Sequence, residues 1–396
     1  MKALSKSFLE DVKVVQAIDR LEAIASELKD IFVERDNAIE NSIKALITGQ
    51  AVLLVGPPGT AKSALATELC RRIDHGRYFS WLLNRTSDPA EILGPFSIKE
   101  MENDKFVRVT KNKLPEAEIV FLDEVFKCNE PTLNILLPII NEKVFYNDGN
   151  PIPVPLITLF AASNEFPEEE SLMALYDRMI YRMYVDYVGD VENKMLMLKR
   201  SLNRKKDGEY TTISLNDINY LREALDEIEV SESILKEYIY LMNALLQEGV
   251  VVSDRRQNEA LKVLKANALI NKRDEVITED FNSLRDVLWN DLEDIEIIDE
   301  VLKERLLSPF EKEYNYVRER YDSLVGSTKN MNDTRMLVEV KGSAELVKDK
   351  VDRFLKDKEL MDERNINKFT ALQKEIERFL ENLQSQIGDE EDMMMY

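Results

Sequence analysis

Apolar positions recur along this chain in two rhythms, and the switch between them marks its organisation. Phe8, Val12, Val15, Ile18, Leu21, Ile24 and Leu28 return every three or four positions, the spacing of an amphipathic helix. Phe32-Val33-Glu34-Arg35 interrupts that helix, a second is predicted to about Leu46, and Thr48-Gly49-Gln50 turns the chain. Short, mainly apolar runs then follow: Ala51–Val55, Tyr78–Leu83, Ile119–Leu122, Leu156–Ala162 and Tyr181–Val185. Such runs are what strands buried on both faces look like. Helical spacing over Ser63–Ile73, Pro131–Ile140 and Leu172–Met179 alternates with them, which predicts a mainly parallel sheet with helices on its faces. Residues 95 to 113, around Glu102-Asn103-Asp104, and residues 143 to 154, with Asp148-Gly149 as the turn, read as β-hairpins.

After residue 188 the rhythm changes. Residues 189 to 290 are helical, charged and without parallel-strand runs, and Ser253 is placed to cap a helix opening at Asp254-Arg255-Arg256. From about Asp291 the pattern is polar-helical, with Val338-Glu339-Val340 as one short strand. Phe369, Leu372, Ile376, Phe379 and Leu383 form a seam too short for an oligomerising coil, hence an intramolecular helical hairpin. Residues 388 to 396 read as a frayed tail. The expected domains are therefore 1–29, an N-terminal helix packing on the core; 30–188, an α/β core; 189–290, a helical segment; and 291–396, a C-terminal helical domain.

The chemistry lies at the ends of the buried strands. Gly56-Pro57-Pro58-Gly59-Thr60-Ala61-Lys62-Ser63 follows Ala51–Val55 and opens a helix. Strand, glycine loop and helix N-terminus make a phosphate cradle, with loop amides and the helix dipole facing the anion. Lys62 would reach the β- and γ-phosphates, and the Ser63 hydroxyl would hold Mg²⁺. The residue before the lysine is Ala61, where the general pattern has glycine, so the loop is expected to avoid positive φ there. Asp123-Glu124 alone would be an ordinary solvated loop. Directly after the apolar run Ile119–Leu122 it reads as a Mg²⁺-holding aspartate and a water-activating glutamate. Leu156–Ala162 delivers Asn164, an amide for the γ-phosphate or the water. Arg178 ends a short helix, placed to complete a neighbouring subunit's site or to make a surface ion pair.

Composition removes other classes. The 396 residues carry 53 Lys and Arg against 75 Asp and Glu, a net charge of −22, which disfavours nucleic acid. Two cysteines, Cys70 and Cys128, outside any C-x-x-C pair, fit a reducing compartment without structural zinc. The single histidine, His75, reads as a helix-end residue. No signal core and no long apolar run occurs, so a cytoplasmic protein without stable membrane insertion is expected.

In this order the motifs resemble an AAA+ ATPase of the MoxR family, and within it the RavA-like branch. Val33-Glu34-Arg35, Gly56–Ser63 with its Ala-Lys-Ser ending, Leu114–Glu124, Ala161–Glu165, Ala174–Met179 and Val252–Arg256 carry the likeness, across residues ~30 to ~290. The resemblance implies a P-loop core with a parallel five-stranded sheet flanked by helices, followed by a helical lid. It implies ATP and Mg²⁺ as ligands, a homo-hexameric ring, protein clients and a von Willebrand A domain partner. Gly56 to Ala64 and Val33 would bind ATP, with Ser63 and Asp123 holding the metal. Glu124, Asn164 and Arg178 would be catalytic, as Walker B glutamate, sensor 1 and arginine finger. Arg255 or Arg256 would be sensor 2, reaching the phosphates in cis. Residues 95 to 113 and 143 to 154 would face the ring's pore or upper face. The β-rich insertion of larger RavA-type chains has no room between Gly326 and Ser343. The function expected is ATP-driven remodelling or maturation of protein complexes. The alternatives are a nucleic-acid-directed motor or nucleotidase and a non-catalytic ATP-sensing scaffold.

Overall fold

The computed structural model of the chain describes residues 11–203, 210–306, 309–328, 334–356 and 363–393. They divide into two compact units, Met1–Leu302 and Lys303–Tyr396. In the first, helices α1 (Val12–Ile31) and α2 (Asp36–Thr48) lead into β1 (Ala51–Val55), α3 (Lys62–Cys70), the two-residue β2 (Ile73–Asp74) and β3 (Tyr78–Leu82). Short helices α4 (Pro89–Leu93) and α5 (Ile98–Met101) precede β4 (Ile119–Asp123) and α6 (Glu130–Glu142). The hairpin β5 (Val144–Asn147) and β6 (Asn150–Pro153) comes next, then β7 (Thr158–Ser163), α7 (Glu170–Tyr176) and β8 (Met179–Tyr184). Helices α8 (Val191–Asn203), α9 (Leu215–Glu227), α10 (Glu232–Gln247), α11 (Asp254–Ile270), α12 (Arg285–Leu288) and α13 (Leu292–Leu306) follow, with the two-residue β9 (Ile213–Ser214) before α9.

The five-stranded sheet is parallel, in the order β3-β4-β7-β1-β8. Its three central strands, β4, β7 and β1, are almost wholly buried: every residue of β1 and β7 and the first four of β4. All five strands point the same way, so β1, β4 and β7 deliver their following loops to one edge. The segment entering β8 lies at the other.

The first helix is capped at Asp11, whose carboxylate accepts from the Lys13 amide at 2.9 Å. Of its predicted stripe, Ile18, Leu21, Ile24 and Leu28 are buried, whereas Val12 is exposed and Val15 only partly covered; in the first turn Val14 faces the core instead. Phe8 lies outside the described residues. The hairpin at 143 to 154 forms with Asp148-Gly149 at its turn. The segment 95 to 113 does not form a ladder of strands: a single bridge, Phe96–Arg108, closes a loop containing α5. Gly94 at its base is irreplaceable, since a Cβ there would come within 1.9 Å of the Val109 carbonyl oxygen. Helix α3 stops at Cys70, and Ile73 joins β2 instead. His75 sits in an exposed turn with φ 62° rather than at a ligand cluster.

The second unit holds helices α14 (Pro309–Thr328), α15 (Thr334–Lys356) and α16 (Glu363–Met393). Phe369, Leu372 and Ile376 of the predicted seam pack on Val317 and Tyr321 of α14 and Val347 and Val351 of α15, so the seam closes within the chain. Val338-Glu339-Val340 is helical, not a strand, as part of α15: Leu337, Val340, Ala344, Val347 and Val351 are buried at helical spacing while Val338 is exposed. The segment expected to fray remains helical as far as Met393. No described helix is long and apolar enough to cross a membrane.

Candidate functional site

One polar cluster stands at the carboxyl edge of the sheet. The Gly56 amide donates to the Ser163 carbonyl at 3.1 Å, and a Cβ on Gly56 would meet the Val185 oxygen at 2.1 Å, so only glycine lets the loop leave β1 here. Lys62 is buried; its amine donates to the loop's own Gly56 and Pro57 carbonyls at 2.6 and 2.9 Å and to Asn164 Oδ1 at 3.0 Å. Burial pulls this amine below the usual lysine value, with nearby Arg35 adding to the effect and Asp123 and Glu124 opposing it. The Ser63 hydroxyl donates to Asp123 Oδ2 at 3.3 Å. Asn164 Nδ2 donates to Glu124 Oε1 at 2.5 Å, and Lys127 Nζ stands 3.2 Å from Glu124 Oε2.

The sequence-assigned residues Lys62, Ser63, Asp123, Glu124 and Asn164 therefore form one connected constellation, assembled from three strand ends. Its composition fits a nucleotide triphosphate with Mg²⁺. One carboxylate and one hydroxyl suffice for a metal that keeps waters and takes phosphate oxygens as its other ligands. The amides at the start of α3 meet no capping side chain, which leaves them for an anion. Val33, assigned to the nucleotide, is buried, two residues before Arg35.

Two features at this edge differ from the sequence reading. Ala61 adopts φ 68°, ψ 20°, the left-handed conformation that it was expected to avoid. Arg35 is the residue sequence reasoning left without a role. Almost fully buried, its guanidinium donates to the carbonyls of Thr60 in the phosphate loop (3.3 Å), Glu34 (2.7 Å) and Asp186 (2.5 Å). Burial lowers it from the ordinary arginine value, with Glu34 and Asp186 opposing. An arginine within the apolar interruption Phe32-Val33 was the available signal.

Arg178, Arg255 and Arg256 are not at this cluster. Arg178 immediately precedes β8, whose first residue, Met179, pairs with Ala51 at the start of β1. The phosphate loop begins after the other end of β1, a five-residue strand about 16 Å long. All three arginines gather around Asp177. Its carboxylate accepts from Ser253 Oγ at 2.7 Å and Arg256 NH2 at 3.1 Å, and Arg255 NH1 stands at 3.5 Å. The two arginines expected to reach their own chain's phosphates thus stand away from the Lys62 cluster: α11 packs beside the start of β1, where Gln50, one residue before β1, donates to the Glu259 carbonyl at 2.8 Å.

The two lid arginines differ. Arg256 is 3% exposed and is committed to Asn290 Oδ1 and the Leu288 and Trp289 carbonyls. Arg255 keeps a half-exposed side chain. Arg178 is half-buried and donates to the Ala174 carbonyl at 2.5 Å; burial, reinforced by Arg255, lowers its pKa. Beneath them Arg182 is fully buried. It stacks on Tyr176, 3.8 Å from the ring centroid, and donates to the Trp289 and Tyr176 carbonyls, which bolts β8 to the lid.

A third surface is apolar. Asp148 of the β5–β6 turn accepts from the Phe106 amide at 2.9 Å, and Asn147 accepts from the Arg108 amide at 2.8 Å, joining hairpin and insert into one lobe. Ile98, Phe106 and Tyr146 are exposed on it.

Comparison with known proteins agrees with this architecture. Residues 19–223 match the model of the MoxR domain in the MoxR-vWA-beta-propeller ternary systems, and residues 214–302 match an AAA lid domain. Two uncharacterized proteins of Methanocaldococcus jannaschii are 38% and 36% identical, over 72% and 80% of this chain and 74% and 83% of theirs. Chaperone MoxR1 of Mycobacterium tuberculosis is 22% identical over 74% of this chain and 77% of its own. A crystal structure from Cytophaga hutchinsonii, named as a candidate ATPase, superposes with a TM-score of 0.61 at 21% identity, over 74% of this chain and 96% of that one, which speaks for the fold. With more than half of its length matched by that domain model and the lid following it, this chain belongs to the MoxR family of AAA+ proteins.

Proposed function

We propose that the chain hydrolyses ATP at the seams of a homo-hexameric ring and uses the cycle to remodel or mature protein complexes, in partnership with a von Willebrand A domain protein. One observation supports this reading. The phosphate-side constellation is assembled within the chain, whereas Arg178 and Arg255 lie at the opposite end of the same sheet, a placement suited to another copy's phosphates.

In this reading Gly56 to Ala64 and Val33 hold the nucleotide, and Ser63 and Asp123 hold Mg²⁺. The bound metal and triphosphate supply an electrophilic phosphorus and the neutralisation of its charge. Lys62 exchanges its loop carbonyls for phosphate oxygens. Asn164, released from Lys62, orients the γ-phosphate or the water. Glu124, released from Asn164, takes the proton of the attacking water. Arg178 completes the neighbouring copy's site as its arginine finger, and Arg255 acts beside it in trans, whereas Arg256 is a structural bolt. The lobe of residues 95 to 113 with 143 to 154 presents Ile98, Phe106 and Tyr146 to clients. The family's description supports a von Willebrand A partner, and membership of the RavA-like branch is part of the same proposal. A cytoplasmic setting belongs to the same proposal. Phosphate-release kinetics test it: Glu124→Gln should bind ATP as the parent does and lose at least about a hundredfold in turnover. Wild-type turnover in that variant would remove the water-handling role. Stimulation of the parent by nucleic acid would favour a nucleic-acid motor instead.

A further inference from the structure

The unexpected conformation of Ala61 has a physical counterpart in Arg35. A residue with a Cβ is disfavoured at φ 68°, and here it stands immediately before the lysine of a phosphate loop. The plane of the Thr60–Ala61 peptide is set by ψ of Thr60 and φ of Ala61. The guanidinium of Arg35 takes the Thr60 carbonyl of that same peptide as an acceptor. In a trans peptide the N–H points opposite to the C=O. Holding the carbonyl toward Arg35 therefore aims the Ala61 amide away from it, to join the uncapped amides at the start of α3.

The remaining bonds of Arg35 explain why it can serve as an anchor. Its other two acceptors are the Glu34 and Asp186 carbonyls, one on the turn before α2 and one just after β8, so the guanidinium is fixed from two elements independent of the loop. Glu34 reinforces that turn from φ 57°, accepting from the Gly189 and Asp190 amides and from Asn193 at the start of α8. The acceptors of Arg35 are three carbonyls in three directions, which a lysine amine on a flexible stem cannot meet in the same geometry.

We propose that Arg35 is a positioning residue for nucleotide binding: it holds the Thr60–Ala61 peptide in the left-handed geometry that turns the Ala61 amide into a phosphate ligand, and so replaces the glycine that general phosphate loops carry at this position. This rests on the nucleotide site proposed above. It predicts that Arg35 and Ala61 are energetically coupled, because glycine at position 61 adopts positive φ without help.

The test is a double-mutant cycle on the full-length chain, read by titration with a fluorescent ATP analogue, by KM and kcat, and by thermal melting. Arg35→Gln should weaken ATP binding and raise KM about tenfold while kcat at saturation changes less than about twofold. Adding Ala61→Gly should restore affinity to within about threefold of the parent, and Ala61→Gly alone should bind at least as tightly as the parent. Parent-like affinity in Arg35→Gln overturns the proposal, as does a loss that Ala61→Gly leaves unrepaired in a protein that melts normally. If Arg35→Gln does not fold, the single Ala61→Gly variant decides: weaker binding than the parent overturns the role of the left-handed peptide, and equal or tighter binding supports it. Lys62→Ala separates this from the underlying reading. A parent that binds no nucleotide, or binds it equally without Lys62, sinks the nucleotide site itself and the Arg35 role with it.

Discussion

At the carboxyl edge of the sheet, Lys62, Ser63, Asp123, Glu124 and Asn164 bond to one another and to the loop backbone; at the amino edge, Asp177 gathers Arg178, Arg255 and Arg256 on the floor made by Arg182. The first edge has what is needed to hold a triphosphate and to move a proton. The second has three guanidinium groups around one shared carboxylate, Asp177, with Asp294 also acting on Arg256. β1, about 16 Å long, lies between them, which supports the proposal that the two edges serve phosphates of different copies. In the proposed reading, a site divided this way would make chemistry conditional on assembly, as suits a machine whose hydrolysis reports on its neighbours.

The sharpest way to break this comparison is at the amino edge. Arg178→Ala should lower turnover by about a thousandfold and leave nucleotide binding to the single chain intact, as expected for a finger supplied from outside. Arg255→Ala should cost about tenfold in turnover, since its half-exposed guanidinium keeps a partner in Asp177 and plays the lesser part. Steady-state phosphate release with a parallel binding titration checks both. If either variant loses nucleotide affinity in proportion to its activity, that arginine serves the site from within its own chain and the division fails.

Arg256 should behave differently from its neighbour. Arg256→Ala removes a donor from the Leu288 carbonyl and part of the charge facing Asp177, and empties a buried place, so it should destabilise the chain by about 3 kcal/mol, read as a lowered denaturant midpoint. A variant of unchanged stability would show that Arg256 is not the bolt between core and lid.

The smallest effect concerns Lys143, at the base of the hairpin, whose amine burial lowers to about 8, with Arg222 and Lys262 adding and Glu259 opposing. A lysine depressed in the folded state disfavours folding while it is protonated. The penalty is full below pH 8 and is relieved as pH rises toward the unfolded lysine value of about 10.4. Lys143→Met should therefore stabilise the protein by about 1–2 kcal/mol at pH 7, with the gain shrinking above pH 8. A constant gain across that range would assign it to packing rather than to charge.

Much of the carboxyl edge was legible in the sequence because its determinants are local. The runs Ala51–Val55 and Ile119–Leu122 lack alternation since both faces of those strands are covered, and a strand end names the loop that follows it. Asn164 needed only the end of β7. What stayed hidden depends on contacts far along the chain. The left-handed Ala61 is coupled to Arg35, 26 positions earlier. The position of α11 is fixed by Asp177 and Gln50, and without them Arg255 and Arg256 looked equivalent. The insert at 95 to 113 closes on the hairpin through Asn147 and Asp148, so its own residues did not reveal that a turn of helix replaces the strands. Val338 and Val340 misled because a three-residue window favours β-branched strands, whereas the helical period appears only across Leu337 to Val351.

Mixing two inactive variants tests the divided site most directly. Glu124→Gln keeps its amino-edge arginines, and Arg178→Ala keeps its carboxyl-edge glutamate. In a mixed assembly some seams pair the intact glutamate of one chain with the intact arginine of the next, and phosphate release should return to about a quarter of the parent rate by random pairing. A mixture that stays as inactive as its components, with co-assembly verified by differently tagged chains, would contradict a site shared between copies.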